Sequence, residues 1–456
     1  MEWNKLLSDK ILGGHSTKDN KIVDGRSQFQ RDFDRIVFCS AFRRLQDKTQ
    51  VFPLPENDFV HTRLTHSLEV SCVGRSLGNL IGKTIIDRHK SLKKEYTNFH
   101  FGEIVAAACL AHDIGNPPFG HSGEDAIAEY FKRGNGKQFE KSLNNEKLWN
   151  DLIKFEGNAQ GFRIITRLQN PNIKGGLRLT HATLGAFTKY PKESGLPESI
   201  AIKPVKGKFY KKFGFFQSEK KLFKEVAEET GLIKKEFNKI DWWSRHPLTY
   251  LVEAADDICY RIMDLEDGFR LGLLTFNETE EILNSLIKNK KLKGYRERNE
   301  NDKIGYLRAK SVSNMVQQLA NIFVEEENNI LTDNFENDLI SVIPSAKALK
   351  MIKDISVIKI YSYRSVVERE AAGYEVLGGL LDAFINAVNE ASKEKASFKN
   401  NNLLKLIPTQ FLYSSGRPHD DLYTRLLLIT DFVSGMTDSY AVSLYRKIKG
   451  ISLPGL

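Results

Sequence analysis

The stretch Ala111-His112-Asp113-Ile114-Gly115-Asn116-Pro117-Pro118-Phe119-Gly120-His121-Ser122-Gly123-Glu124 decides how the rest of the chain is read. It follows an Ala-rich apolar run, Ile104 to Leu110, which predicts a buried helix. His112 and Asp113 fall where that helix must stop. Gly115 is suited to the left-handed conformation that ends a helix, and Pro117 and Pro118 forbid resumption. A polar pair at the end of a buried helix needs partners. A lone His-Asp pair is usually a core histidine beside a helix-terminal carboxylate. The alternative partner is a divalent metal ion: imidazole and carboxylate suit Mn, Zn, Fe, Co or Ni, and carboxylate with water tolerates Mg.

The surroundings favour the metal. Polar residues interrupt two other apolar helical patterns: His66 heads a helix running to about Gly82, and Glu253, Asp256, Asp257 and Asp264 lie in a helix over 246–268. Buried carboxylates are costly unless paired or metal-bound. His66, His112, Asp113 and one aspartate of the last helix make a compact set of two nitrogens and two oxygens. Asp256, Tyr260 and Asp264 are spaced by four and share a face. Asp257 points about 100° away, so Asp256 is the expected ligand. His121 and Glu124 are three apart and share a face at the start of the next helix. By themselves they would read as a helix N-terminus with Ser122 as cap and Glu124 favoured by the dipole.

The remaining chain is mainly helical in pattern. Residues 1–30 are expected to form an irregular arm, and 31–49 a helix ended by Pro53 and Pro55. Helices are expected over 124–131, from about 155 to 168, over 180–190, 365–388 and 422–448, with peripheral helices over 271–345. Lys and Gly alternating with Val, Phe and Tyr over 201–216 predict a small β-hairpin, the main exception to a mainly α architecture. The region 346–456 is expected to pack on the core and complete a pocket.

The 456 residues carry a formal net charge of +9, which favours polyanionic partners such as nucleotides or nucleic acid. The four cysteines, Cys39, Cys72, Cys109 and Cys259, have no CxxC spacing and are expected to be buried free thiols. No stretch has the length to span a bilayer and the N-terminus has no signal-peptide core, so a cytoplasmic protein without a membrane is expected.

The His…His-Asp…Asp order resembles the HD-domain phosphohydrolases, which implies an HD-domain helical core over 31–270. Longer strings narrow the resemblance: Phe42-Arg43-Arg44-Leu45-Gln46-Asp47-Lys48-Thr49-Gln50-Val51-Phe52, His61-Thr62-Arg63-Leu64-Thr65-His66-Ser67, the His112–Glu124 stretch, Glu156-Gly157-Asn158-Ala159-Gln160, Ala254-Ala255-Asp256-Asp257-Ile258-Cys259-Tyr260 and Asp431-Phe432-Val433-Ser434-Gly435-Met436-Thr437-Asp438. Together they resemble the bacterial deoxyguanosinetriphosphate triphosphohydrolases. The resemblance implies metal-dependent hydrolysis of dGTP, or of dNTPs more widely, at the α-phosphorus to deoxynucleoside and tripolyphosphate.

It also implies roles. His66, His112, Asp113 and Asp256 would hold the divalent ion, Mn or Mg first, with Fe, Co or Zn as alternatives. His121 and Glu124 would be catalytic. Arg63, Asn158, Lys189, Tyr190 and Lys212 would bind the triphosphate. Gln50 and Asp264 would hold the sugar 3′-hydroxyl, and Tyr260 would fill the space of a 2′-hydroxyl. Val51, Glu370 and Arg425 would meet the guanine, with Glu368 as the alternative to Glu370. A homo-oligomer, hexamer favoured, and binding of single-stranded DNA or a nucleotide effector are implied as well. The competing readings are another HD nucleotidase or phosphodiesterase, and a nucleic-acid-binding regulator.

Overall fold

The computed structural model describes residues 1–14, 25–51, 61–195, 212–237, 240–288, 294–413 and 416–452. The helices that matter for the site are α1 (Gln28–Phe38), α2 (Arg63–Arg88), α3 (Asn98–Ala111), α4 (His121–Lys132), α5 (Gly157–Arg163) and α6 (His181–Phe187). After a two-stranded antiparallel hairpin, β1 (Lys234–Phe237) and β2 (Ile240–Trp243), come α7 (Thr249–Arg270), α8 (Glu300–Glu325), α9 (Arg364–Ala391), α10 (Leu422–Ser434) and α11 (Asp438–Ile448). The architecture is mainly α, as expected. The hairpin expected over 201–216 lies largely outside the described residues, and its described end holds only an isolated parallel bridge between Glu193 and Phe215.

The centre is the α2–α3 pair. Thr62 caps α2 reciprocally with Thr65. Gly74, Gly78 and Gly82 recur every fourth residue and form the contact face. A Cβ on Gly74 would lie 2.5 Å from Cys109 Sγ, and one on Gly78 2.7 Å from the Phe101 carbonyl oxygen. The two backbones therefore approach closely, and Ile104 to Ala111 are buried on every side. Of the apolar residues on α2, Val73 and Leu77 are buried, but Leu68 and Leu80 are exposed, because the glycines rather than leucines make the seam.

Four further expectations change. The first residues are no loose arm: Trp3–Leu6 is a helical turn, and Trp3, Leu6, Leu7 and Leu12 are buried in the core. The helix expected over 31–49 is broken at Cys39, whose extended backbone starts a second short helix, Ser40–Arg44. The helix expected over 422–448 is two, because Gly435 ends α10 and Thr437 caps α11 through the Tyr440 N–H. Cys39, Cys109 and Cys259 are buried, while Cys72 is exposed.

A second apolar cluster joins α4, α9, α10 and α11. It is tied to α5 by charge: Arg163 on α5 donates to Asp431 on α10 at 2.7 Å and to Glu219 at 2.7 Å, all three buried. Removing one member of such a network leaves a buried charge unpaired, at a cost of about 3–5 kcal/mol. Among the described residues no helix is long and apolar enough to cross a membrane.

Candidate metal and phosphate site

α3 ends at His112 as predicted, but Gly115 is not the left-handed residue. Positive φ falls on Phe119 (65°) and Gly120 (63°). Gly115 is needed for a close approach instead: a Cβ there would lie 2.0 Å from the Gly157 carbonyl oxygen and 2.1 Å from the Gly161 nitrogen. The turn after the His-Asp pair is thus pressed against α5.

His66 from α2, His112 from α3 and Asp256 from α7 meet, with ligand atoms within 4.8 Å of one another. Asp256 Oδ1 lies 3.2 Å from His66 Nε2 and 3.4 Å from His112 Nε2. His112 Nδ1 lies 2.7 Å from the Cys109 carbonyl oxygen, so Nδ1 carries the proton and donates. Its Nε2 is left as a buried lone pair with no hydrogen-bond partner. An orphaned buried imidazole nitrogen facing a second imidazole and a carboxylate fits a divalent cation. Asp113 lies beside this triad: its Oδ1 is 3.5 Å from His112 Nε2, and its Oδ2 accepts from Arg63 at 2.6 Å. Asp257 is turned to Arg261, 3.1 Å away.

Carboxylates here are paired with cations. Burial would raise the Asp256 pKa, but the Lys189 ammonium beside it holds it well below the usual carboxylate range. Lys189 Nζ is 2.7 Å from Asp256 Oδ2. Lys212 donates to Glu156 at 3.3 Å and stands over the Tyr190 ring, and Asn158 donates to the same Glu156 oxygen at 2.6 Å. The structure therefore gathers Arg63, Lys189, Tyr190, Lys212 and Asn158 around one region.

His121 and Glu124 form the dyad their spacing predicts. His121 Nδ1 lies 2.7 Å from Glu124 Oε2, and Glu124 Oε1 accepts from the Gly157 N–H at 2.6 Å. The hydrogen bond and charge of Glu124 raise the His121 pKa. Glu124 is buried, whereas the His121 side chain is 79 % exposed, so its Nε2 faces open space. Arg63 links dyad and triad: the end of its guanidinium that does not bind Asp113 lies beneath Gly120.

At the expected sugar end, Tyr260 packs against Tyr361 with ring centroids 5.7 Å apart. Tyr361 donates to Asp264 at 2.6 Å, and burial pushes the Asp264 carboxyl up to about 8. Gln50 Oε1 is buried without a partner. Val51 is buried, and its carbonyl accepts from Arg369 at 3.0 Å. Glu368 pairs with Arg364 on the exposed side of α9, while Glu370 is half-buried. Arg425 is engaged otherwise, by Asn389 and the carbonyls of His419 and Asp420.

Sequence reasoning missed Tyr361 and Arg369. Tyr361 sits in a π turn, Val357–Tyr361, that no helical period reveals. Arg369 lies in a run of charges that reads as a solvated face, yet its Nε and Nη1 are buried and unpartnered.

Two histidines and an aspartate thus converge from three helices beside a His-Glu dyad. Residues 63–174 match the HD domain family, and 344–447 match the phosphohydrolase-associated domain. The chain is similar to a deoxyguanosinetriphosphate triphosphohydrolase-like protein of Synechocystis, 46% identical over 99% of this chain and 100% of the relative. It is similar to a like-named protein of Pseudomonas aeruginosa, 40% identical over the whole of both chains. It also resembles the deoxyguanosinetriphosphate triphosphohydrolase of Yersinia enterocolitica, 34% identical over 92% of this chain and 93% of that one. The chain belongs to the deoxyguanosinetriphosphate triphosphohydrolase-like family of HD-domain phosphohydrolases.

Proposed function

We propose that the protein hydrolyses deoxynucleoside triphosphates, dGTP preferentially, at the α-phosphorus, releasing deoxynucleoside and tripolyphosphate and so controlling dNTP pools. The observation that carries this reading is the placing of Lys189 on Asp256 of the His66–His112–Asp256 triad, Arg63 on the neighbouring Asp113 and Lys212 on Glu156 beside the His121–Glu124 dyad. A divalent ion held by His66, His112, Asp256 and neighbouring Asp113, Mn or Mg first, would supply Lewis acidity toward an α-phosphate oxygen.

The chain's own residues do the rest. Arg63, Lys189, Lys212, Tyr190 and Asn158 bind and orient the phosphates. Water attacks the α-phosphorus, giving up a proton to solvent, and the bond to ribose O5′ breaks. Glu124 fixes the His121 ring through Nδ1 and favours its protonated form, so His121 delivers a proton from Nε2 to the leaving O5′. Gln50 and Asp264 hold the 3′-hydroxyl. The Tyr260 ring leaves no room or partner for a 2′-hydroxyl. Val51 and Glu370 face the base, and Arg425 completes its recognition only by leaving its present partners. The reading is of a cytoplasmic homo-oligomer, hexamer favoured, that also binds single-stranded DNA or a nucleotide effector. Light scattering and salt-dependent DNA binding test those parts.

The deciding experiment incubates the protein with each dNTP and with GTP, with Mn or Mg, and separates the products. Deoxyguanosine plus tripolyphosphate from dGTP is the expected result. Equal cleavage of all dNTPs would keep the chemistry and remove the guanine contacts. Mono- or diphosphate products would point to another HD phosphohydrolase.

A further inference from the structure

The turn that carries His121 is held from outside the HD domain. Phe119 has φ 65°, a conformation that costs a bulky residue energy unless its surroundings enforce it. Its N–H donates to Asp438 Oδ1 at 3.1 Å. The other oxygen of the same carboxylate accepts from the Thr49 N–H at 3.2 Å and the Thr49 hydroxyl at 2.8 Å. Asp438 is buried and opens α11, within the phosphohydrolase-associated domain. A second tie runs in parallel: Lys48 Nζ donates to the carbonyls of Asn116, where the turn begins, and Ser434, at the end of α10. Ser439 donates to Asp47 at 2.8 Å. The break between α10 and α11 thus grips both the turn before His121 and the segment before Gln50 and Val51.

We propose that Asp438 is a positioning residue for the reaction: its carboxylate holds the left-handed Phe119–Gly120 turn that aims His121 and fixes that turn relative to the segment leading to Gln50. The phosphohydrolase-associated domain thereby completes the catalytic geometry rather than only covering it. The inference rests on the proposed catalytic role of His121. Among the described residues the Asp438 carboxylate bonds to Phe119 and Thr49, neither of which is expected to meet substrate, so its loss acts through the turn. Phosphate binding through Lys189 and Lys212 is left in place.

The test compares Asp438→Ala with Asp438→Asn. Asn keeps one carbonyl oxygen that accepts from the Phe119 N–H, loses the charge and turns an NH2 donor toward the Thr49 hydroxyl in place of the second acceptor; Ala loses every acceptor. Asp438→Ala is expected to lower kcat for dGTP at least about ten-fold while KM moves less than about three-fold, because misaimed catalytic groups cost rate rather than binding. Asp438→Asn is expected to recover most of that loss. The His121 pKa, read by NMR of histidine-labelled protein and assigned with His121→Asn, is expected to fall in Asp438→Ala as the Glu124 hydrogen bond loosens, and to hold in Asp438→Asn. Equal behaviour of the two variants would assign any effect to charge and overturn the proposal, as would an unchanged kcat in Asp438→Ala. Where Asp438→Ala does not fold, Asp438→Ser, too short to reach Phe119, takes its place in the same comparison. Full activity of His121→Asn would remove the catalytic role of His121, while the His121 pKa would still report whether Asp438 holds the turn.

Discussion

Lys189 Nζ stands 2.7 Å from Asp256 Oδ2, on the opposite oxygen of the carboxylate from the one that faces His66 and His112. A cation expected to bind phosphate is therefore bonded to a carboxylate expected to bind metal. The pair is half-buried, and the Lys189 ammonium is held charged by Asp256 against its own desolvation. Lys189→Met should leave Asp256 as an under-compensated, half-buried charge and lower the Tm of the metal-free protein. Added Mn or Mg should then raise the Tm by more than it does in the unsubstituted protein, because metal replaces the lost cation. KM for dGTP should rise about ten-fold, equivalent to about 1.4 kcal/mol of lost binding. Thermal unfolding with and without metal, together with steady-state kinetics, checks the three changes.

The choice between neighbouring aspartates gives a sharper contrast. Asp256 faces the two histidines; Asp257 faces Arg261 at the helix surface, and burial raises its carboxyl to about 6. Asp256→Ala should abolish measurable metal binding by titration calorimetry and hydrolysis with it. Asp257→Ala should keep both, with a stability change within about 1 kcal/mol, typical of a partly exposed pair. A metal-binding Asp256→Ala protein and a metal-free Asp257→Ala protein would reverse the assignment.

How much of this was legible beforehand depended on the kind of signal. The triad was readable because buried His and Asp stand out against apolar helices, and facial geometry separated Asp256 from Asp257. The His121–Glu124 pair was readable from its spacing of three. Gly115 was misread: composition shows that a glycine is needed but not whether φ or a close approach requires it, and here Gly157 and Gly161 press on it. The α2 seam was not legible for the same reason, since Gly74 and Gly78 bury backbone there while the apolar Leu68 and Leu80 stay exposed. Asp438 stood in a quoted motif, but only tertiary contact reveals that it reaches Phe119 across 319 residues.

Sugar selection should rest on the aromatic pair. Tyr260 packs, tilted, against Tyr361, which is itself anchored by its hydroxyl on Asp264. Tyr260→Ala should open the space beside the sugar and raise GTP hydrolysis relative to dGTP by about 10–100-fold, since steric exclusion and an unpartnered hydroxyl are both relieved. Tyr361→Phe should keep the ring and lose the anchor, giving a smaller change in the same direction. The ratio of kcat/KM for GTP and dGTP measures both. An unchanged ratio in Tyr260→Ala would place the gate elsewhere.

Stability should fall with rising pH through one identifiable group. His61 sits just before α2, with Nδ1 2.8 Å from Asp267 and Nε2 3.3 Å from Glu69. Burial alone would lower its pKa, but the hydrogen bonds and charges of these two carboxylates raise it to about 10. The folded-state value lies above the unfolded value of about 6.5, so the protonated ring stabilises the fold. That contribution is fully present below about pH 6.5, shrinks as pH rises and is gone above about pH 10. His61→Gln removes the charge but keeps a donor. The difference in Tm between the two proteins should therefore be largest near pH 6 and close to zero at pH 10. A difference that stays constant over that range would mean that His61 is neutral in the folded protein and that Asp267 and Glu69 do not hold its proton.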